Sequence, residues 1–432
     1  MSGYPEKQGL YDPSLEKDAC GVGFIVNVNG NKTPSIVENG LLILKRMAHR
    51  GAVGADPKTG DGAGILIQTP HDFFVKAASE IKINLPAQGE YGTGLIFLPA
   101  DNGSADAVKK EIEKAAKECG QEVLGWRNVP VNKAVLGETA KASCPGFAQI
   151  FIKRSADIDN AEDFERKLFI IRKKAENSVR ASDIKDKKTF YVTNLSCRVF
   201  IYKGLMLPEN VADFFIDLND PLVKSAIALV HSRYSTNTFP TWDLAQPFRY
   251  LAHNGEINTI RGNINWMKSR EGLFKSSVFG DDIESVKPVI RDEQQSDSAS
   301  IDNAFETLVQ GGRSMPHSMM MLVPEAWEHN SLLSNSVRSF YKYHACFMEP
   351  WDGPAALAFT DGVRIGAVLD RNGLRPSRYI ETNDGMVILA SETGVIDVPP
   401  SRIKHSGRLE PGKIFFIDTE KQRIIEDGEI KK

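Results

Sequence analysis

Cys20 carries the most reactive side chain among the candidate residues. It begins the apolar run CGVGFIVNV, which follows a polar leader of 19 residues. A free cysteine at the start of a strand is often only a small buried residue. If residues 1–19 were removed, Cys20 would gain a free α-amino group, whose ordinary pKa of about 7.7–8.0 suits a general base. The sequence therefore leaves two interpretations of Cys20, a buried residue or an N-terminal nucleophile.

Two other polar groups follow apolar strands. Arg233 comes directly after the strand-like run AIALVHS, and its planar guanidinium could bind a carboxylate with two parallel hydrogen bonds. Asn254 and Gly255 end the run YLAHNG and offer an amide donor and an unhindered backbone N–H, which are the parts of an oxyanion hole. An Asn-Gly pair is also typical of a type I′ turn, so that interpretation stays open.

A carboxylate stands at the start of a predicted helix. In QQSDSASIDNAF, Asp297 precedes an apolar stripe of helical period formed by Ile301, Phe305 and Leu308. Asp297 could cap this helix, or it could receive the ammonium group of a substrate. The two roles are compatible.

Metal, phosphate and calcium sites find no support in the sequence. His231 and His253 have no further ligand at a zinc-like spacing, and the five cysteines contain no CxxC pair, which argues against a zinc site or an iron–sulfur cluster in this chain. The segment HRGAVGADPKTGDGAGI lacks the GK[ST] of a P-loop, and Lys58 breaks the calcium-loop pattern. We expect its glycines to permit tight turns and close backbone approach.

The elements that must position these groups belong to an α+β protein. From Ala355 onwards, alternating strands flank Asp361-Gly362 and Asp384-Gly385, which predicts antiparallel hairpins. With 53 basic and 56 acidic residues the net charge is −3, so a nucleic-acid partner is not expected. No membrane segment and no targeting signal is visible, which predicts a cytoplasmic protein.

Six segments in order resemble one family: CGVGF, HRGAVGADPKTGDGAGI, HSRYSTNTFPTW, LAHNGEINTIRGN, SDSASIDNAFE and LDRNGLRPSRY. Together they resemble the N-terminal class II glutamine amidotransferase domain of glutamate synthase large subunits, over nearly the whole chain. The resemblance implies an N-terminal-nucleophile hydrolase fold, a four-layer α/β/β/α sandwich with two stacked antiparallel sheets. It also implies a propeptide at 1–19 and one amidotransferase domain at 20–432, and we expect insertions at about 70–220.

The resemblance assigns roles to the candidate residues. Cys20 would be the nucleophile, Arg233 would bind the α-carboxylate of glutamine and Asp297 its α-ammonium. Asn254 and Gly255 would form the oxyanion hole. A chain that keeps residues 1–19 would be a zymogen, since Cys20 would then have no free amine.

The implied reaction is hydrolysis of the L-glutamine amide through a thioester, which gives glutamate and ammonia. In the family, ammonia passes through a tunnel to a synthase domain that acts on 2-oxoglutarate with FMN, an iron–sulfur cluster and a reduced electron donor. Those parts would lie in other domains or subunits, so no cofactor is expected in this chain. Three alternatives remain: another class II amidotransferase, of glucosamine phosphate, phosphoribosylamine or asparagine synthesis; a silent docking module; and a papain-like hydrolase.

Overall fold

The computed structural model describes residues 7–9, 19–54, 56–235, 238–291 and 295–432. Most of the expected propeptide, residues 1–19, lies outside the described residues. The described strands are β1 (Gly21–Asn27), β2 (Ala63–Gln68), β3 (Tyr91–Leu98), β4 (Glu122–Asn128), β5 (Gly146–Lys153), β6 (Tyr191–Val192), β7 (Val199–Gly204), β8 (Ile227–Ser232), β9 (Leu251–Gly255), β10 (Ala355–Thr360), β11 (Arg364–Leu369), β12 (Arg378–Thr382), β13 (Met386–Ala390), β14 (Ile403–Arg408), β15 (Ile414–Asp418) and β16 (Arg423–Ile425). The described α-helices are α1 (Pro34–Arg46), α2 (His71–Ser79), α3 (Asn102–Glu118), α4 (Glu138–Ala142), α5 (Ala161–Ala181), α6 (Val211–Phe214), α7 (Ile260–Glu271), α8 (Asp297–Gln310), α9 (Met315–Leu322), α10 (Asn335–His344) and α11 (Asp427–Ile430).

Two antiparallel sheets stack face to face. Sheet A has the strand order β14-β12-β13-β1-β8-β2-β7, and sheet B has the order β16-β15-β11-β10-β9. Their facing side chains form one apolar layer, to which Phe24 and Leu229 contribute from sheet A and Ala358 and Ile365 from sheet B. Helices α1 and α2 cover the outer face of sheet A, and α7 to α10 cover that of sheet B. The predicted α/β/β/α sandwich is therefore confirmed.

Strand β1 shows why the central strands of sheet A are apolar throughout. Its first six residues are all buried, because α1 packs on one face and sheet B on the other. A strand covered on both faces gains from apolar residues at consecutive positions, whereas a half-exposed strand alternates. The apolar run after Cys20 thus follows from its place in the middle of the sandwich.

A third sheet lies within the region where insertions were expected. Sheet C has the order β4-β5-β3-β6, and helices α3 and α5 pack on one of its faces around Val108, Leu168 and Ile150. Strand β7 falls in the same stretch of sequence but joins sheet A. The division into a propeptide (1–19), a domain (20–432) and an insertion-rich region (about 70–220) stays a prediction.

The C-terminal hairpins match the sequence pattern. β10 pairs with β11 across Asp361-Gly362, and β12 pairs with β13 across Asp384-Gly385. Within the described residues, no helix is both long enough and apolar enough to cross a membrane. The cytoplasmic location stays a prediction.

Candidate active site

A cavity of about 470 Å³ is lined by Cys20, Arg233, Gly255 and Asp297, together with other residues. Cys20 immediately precedes β1, Arg233 follows β8, Gly255 ends β9 and Asp297 begins α8. In the β1–β8 ladder Gly21 lies opposite Ser232, so Cys20 and Arg233 extend the two strands side by side. Four of the five predicted site residues therefore meet at one end of the sandwich.

Cys20 has a half-buried thiol held against the backbone of Tyr234. The N–H of Tyr234 donates to Sγ at 3.3 Å, and the thiol donates to the carbonyl oxygen of Tyr234 at 3.3 Å. Burial raises the pKa of the Cys20 thiol to about 11, which the Tyr234 amide and Arg233 only partly offset. The thiol is therefore neutral at pH 7, and it needs a general base to become a nucleophile.

Arg233 presents a buried positive charge that has no carboxylate partner in the described part of the chain. Its Nη2 donates to the hydroxyls of Ser235 at 3.2 Å and Thr238 at 2.8 Å, and its Nη1 donates to the carbonyl of Asp61 at 3.4 Å. In the described part of the chain, which omits residues 236–237, no ion pair to Arg233 is found. Burial lowers the pKa of this guanidinium, so the charge is costly until a carboxylate ligand matches it.

Asp61 supports the Arg233 loop, and sequence reasoning missed it. Its carboxylate accepts the N–H of Ser235 at 2.6 Å, and burial raises the pKa of that carboxyl. The glycines around it permit close approach, as expected: a Cβ on Gly64 would lie 2.6 Å from Cβ of Lys203 and 2.7 Å from the oxygen of Gln246. One feature of the sequence could have pointed to Asp61: it lies in a glycine-rich segment that leads directly into a predicted strand.

Asn254 and Gly255 end a strand rather than forming a turn. β9 pairs with the distant β10, with Gly255 opposite Ala355, so the type I′ turn interpretation is wrong. Gly255 has a φ of 156°, and a Cβ there would lie 1.9 Å from the oxygen of Pro354, so only glycine fits. The Asn254 side chain is buried and is not among the residues that line the cavity, and its Nδ2 donates to the hydroxyl of Ser391 at 3.5 Å.

Asp297 is the first residue of α8, not its cap. The cap is Ser296, whose hydroxyl accepts the N–H of Ala299 at 3.2 Å, so the capping interpretation of Asp297 is wrong. The carboxylate of Asp297 instead accepts the N–H groups of Ile257 at 2.8 Å and Ser298 at 2.7 Å. These bonds hold a negative charge in the wall of the cavity.

His231 and His253, both buried, connect the stacked sheets. His231 Nε2 donates to the carbonyl of His253 at 3.0 Å, because a carbonyl can only accept. Burial lowers the pKa of His231 to about 3, so this histidine is neutral. His253 Nδ1 lies 2.8 Å from the hydroxyl of Ser298. Among the described residues, no group of three His, Cys, Asp or Glu side chains could hold a metal ion.

The arrangement suits a ligand with two opposite charges and an electrophilic carbon. Arg233 offers an unmatched positive charge, Asp297 offers a negative one, and both act on the pKa of the Cys20 thiol across the cavity. A zwitterion that filled this space would be matched at both charged ends. Its remaining functional group would then lie within reach of the thiol.

Comparisons with known proteins identify the family and several relatives of this chain. Residues 20–432 match the family model described as glutamine amidotransferases class-II. The large chain of NADPH glutamate synthase from Bacillus subtilis (strain 168) is 49% identical over 427 residues, which cover 99% of this chain and 28% of the relative. The chloroplastic ferredoxin-dependent glutamate synthase of Oryza sativa subsp. japonica is 44% identical over 96% of this chain and 26% of the relative.

This chain thus spans between 20% and 28% of the length of the first curated relatives it matches. Among solved structures, glutamine phosphoribosylpyrophosphate amidotransferase from B. subtilis aligns with 76% of this chain and 47% of its own, with 16% identity and a TM-score of 0.30. Since the family model covers all but the first 19 residues, this chain belongs to the class-II glutamine amidotransferases.

Proposed function

We propose that this chain carries out the glutaminase half-reaction of glutamate synthase. It hydrolyses the side-chain amide of L-glutamine through a thioester on Cys20 and releases glutamate and ammonia. The observation that carries the proposal is the cavity itself, which brings together a half-buried thiol, the buried Arg233 and the carboxylate of Asp297. Glutamine has three functional groups that fit these residues: an α-carboxylate for Arg233, an α-ammonium for Asp297 and a side-chain amide for the Cys20 thiol.

Substrate binding depends on the two charged ends. Arg233 binds the α-carboxylate of glutamine, and the ligand relieves the cost of its unmatched buried charge. Asp297, which two backbone N–H groups hold in place, receives the α-ammonium. The cavity of about 470 Å³ has room for one amino acid, and Cys20, which also lines it, receives the side-chain amide.

Activation of the nucleophile requires removal of residues 1–19. The half-buried Cys20 thiol, with its pKa raised to about 11, does not ionise unaided at neutral pH. Cleavage before Cys20 frees an α-amino group of ordinary pKa about 7.7–8.0, which accepts the thiol proton. The family match, which begins at Cys20, supports this processing.

The chemistry then follows in two steps. Cys20 sulfur adds to the amide carbon, and the N–H donors of Asn254 and Gly255 stabilise the oxyanion. The α-ammonium group of Cys20 then returns its proton to the leaving nitrogen. The C–N bond breaks, and ammonia departs, which leaves the thioester on Cys20. A water molecule then adds to the thioester carbon and gives its proton to the α-amine. Collapse breaks the C–S bond, restores the thiol and releases glutamate.

The remainder of the glutamate synthase reaction would take place outside this chain. We propose that ammonia passes to a synthase domain or subunit, where 2-oxoglutarate, FMN, an iron–sulfur cluster and a reduced electron donor take part. Within the described residues the cysteines do not fit a cluster, because no three metal-binding side chains come together. Cys119, Cys144, Cys197 and Cys346 are free and lie in four different segments that connect helices and strands.

Ammonia and glutamate release from glutamine tests the proposal directly. Intact mass and N-terminal sequencing first identify a preparation that begins at Cys20. That preparation should release the two products in equal amounts, and Cys20→Ala should release none. Cys346→Ala, which alters an exposed free cysteine, is the matched control and should stay active. A preparation beginning at Cys20 that released no ammonia would favour the silent docking module instead.

A further inference from the structure

Ser391 joins the strand of the nucleophile to the strand of Asn254. It follows β13, the neighbour of β1 in sheet A, and its side chain is buried. The N–H of Val22, two residues after Cys20, donates to Ser391 Oγ at 3.0 Å. The Ser391 hydroxyl donates in turn to the carbonyl of Val22 at 3.2 Å. From sheet B, Nδ2 of Asn254 donates to the same oxygen at 3.5 Å.

These three contacts use the full capacity of a hydroxyl group, which has one hydrogen and two lone pairs. Two of the three partner groups are the backbone N–H and carbonyl of Val22, and the third is the side-chain amide of Asn254. One of the two Nδ2 hydrogens of Asn254 is thereby directed towards Ser391. This contact orients the amide, and among the described residues Nδ2 has no second hydrogen bond, so its other hydrogen is left for another acceptor.

We infer that Ser391 is a positioning residue for the proposed glutaminase reaction: its hydroxyl orients the Asn254 amide so that its second N–H stabilises the oxyanion. This inference rests on the proposed function. In the part of the chain that the structure describes, Ser391 does not line the cavity, and its hydroxyl bonds to Val22 and Asn254 rather than to Cys20. It acts by linking sheet A, which carries Cys20, to the side chain of Asn254 in sheet B.

A second polar link between the sheets at this end, through His231, does not have the same effect. His231 Nε2 donates to the backbone carbonyl of His253, so it holds β8 and β9 together without touching a side chain that acts on the oxyanion. Ser391 is therefore expected to matter for turnover beyond any contribution to stability. Small errors in the placement of a catalytic donor reduce the rate while substrate binding is retained.

The test is a double-mutant cycle with Ser391→Ala, Asn254→Ala and the double variant, all in full chains that begin at Cys20. Steady-state ammonia release gives kcat and KM, and alkylation of Cys20 by iodoacetamide reports the thiol without an oxyanion hole. Ser391→Ala should lower kcat about tenfold, less than the about 10²–10³-fold expected for Asn254→Ala. Its KM and alkylation rate should stay within about threefold of the wild type.

The cycle distinguishes positioning from a merely structural role. If Ser391 acts through Asn254, adding Ser391→Ala to Asn254→Ala should cost no further kcat, whereas independent effects would multiply. Ser225→Ala is the matched control: Ser225 is also buried, its hydroxyl accepts the N–H groups of Gln68 and Ile227, and it lies at the other end of β8. This control should keep its kcat.

Each outcome has a distinct meaning. Multiplicative effects in the cycle, or an unchanged kcat in Ser391→Ala, would overturn the inference while the wild type stays active. A wild type without ammonia release overturns the proposed function and the inference with it. Should Ser391→Ala fail to fold, Ser391→Thr retains the hydroxyl: a kcat within about threefold of wild type supports the inference, and a loss beyond tenfold contradicts it.

Discussion

Two buried polar clusters of this protein differ in how their charges are balanced. In the first, which we call the α5–α8 ion network, Arg172 donates to both carboxylate oxygens of Glu176 at 3.0 Å and to Glu306 at 2.6 Å. Arg249 donates to Glu176 at 3.3 Å. In the second, the candidate active site, Arg233 bonds to hydroxyls and a carbonyl and, among the described residues, to no carboxylate.

The pKa values follow this difference. Burial alone would raise the pKa of Glu176, but Arg172 and Arg249 outweigh it and lower that pKa to about 2. Glu176 therefore stabilises the fold fully above its ordinary pKa of 4.5, and this contribution is lost as the pH falls towards 2. In the active site, burial prevails and raises the pKa of Cys20 to about 11.

The comparison separates two uses of buried polarity. The ion network supplies its own counter-ions, and it joins α5, which packs on sheet C, to α8, whose first residue is Asp297. The active site leaves Arg233 without a counter-ion among the described residues, so a charged ligand must supply one. We expect changes in the network to reduce stability and changes in the active site to reduce activity.

The largest expected effect on activity comes from the nucleophile. Cys20→Ala should reduce ammonia release from glutamine to background, because no thioester can form. Its melting temperature should stay close to that of the wild type, since only a half-buried sulfur is lost. Ammonia release at more than about a thousandth of the wild-type rate would contradict the assignment of Cys20.

The largest expected effect on stability comes from the ion network. Arg172→Met removes the charge that faces Glu176 and Glu306. Glu176 keeps its contact with Arg249, but Glu306 loses its ion pair with Arg172. Breaking a buried ion pair by removing one partner typically costs about 3–5 kcal/mol in the free energy of unfolding. Urea denaturation measures this cost. KM for glutamine should be unchanged in the folded protein. Arg402→Met, which breaks the exposed pair with Asp384, is the control and should leave stability nearly unchanged.

Removing an oxyanion donor should affect turnover alone. Asn254→Ala should lower kcat about 10²–10³-fold, or about 3–4 kcal/mol in the activation free energy. Asn254→Asp should be at least as damaging, because it places a negative charge beside the oxyanion. Ammonia release under saturating glutamine provides the measurement. Near-normal kcat in a folded Asn254→Ala protein would exclude this residue from the oxyanion hole.

Changing the residues that face the charged ends of glutamine should mainly weaken binding. Arg233→Lys and Asp297→Asn should raise KM about 10- to 100-fold, since a charged hydrogen bond contributes about 1.5–3 kcal/mol. Lysine cannot reproduce the bidentate contact of arginine. Alkylation of Cys20 by iodoacetamide, which has no amino-acid end, should proceed normally in both. A wild-type KM in both variants would refute the proposed charge matching.

The smallest expected effect is a shift in the pH dependence of alkylation. With residues 1–19 attached, the Cys20 pKa of about 11 means that the rate should rise with pH and not level off below about pH 10. In protein that begins at Cys20, a nearby α-ammonium should stabilise the thiolate and move the curve to lower pH. Superimposable curves would show that the amine does not act on the thiol.

The local sequence pattern predicted the positions of the site residues more accurately than it predicted their roles. Arg233 and Gly255 were predicted because each follows an apolar run, and a strand end is a local feature. Asp297 was placed near a helix start, but the capping interpretation was wrong because Ser296 takes that position. A one-residue difference between cap and first turn depends on backbone geometry, which side-chain pattern does not specify.

The sequence by itself determined the layered α+β fold and the residues that could do chemistry, because apolar periodicity and strand-end polarity are carried by neighbouring residues. Only the tertiary structure decided which groups support them. Asp61 contacts the loop after Arg233, and Ser391 contacts Asn254, across gaps of 174 and 137 positions in the chain. Contacts at such separations arise from how strands pair and sheets stack, so no local pattern reveals them.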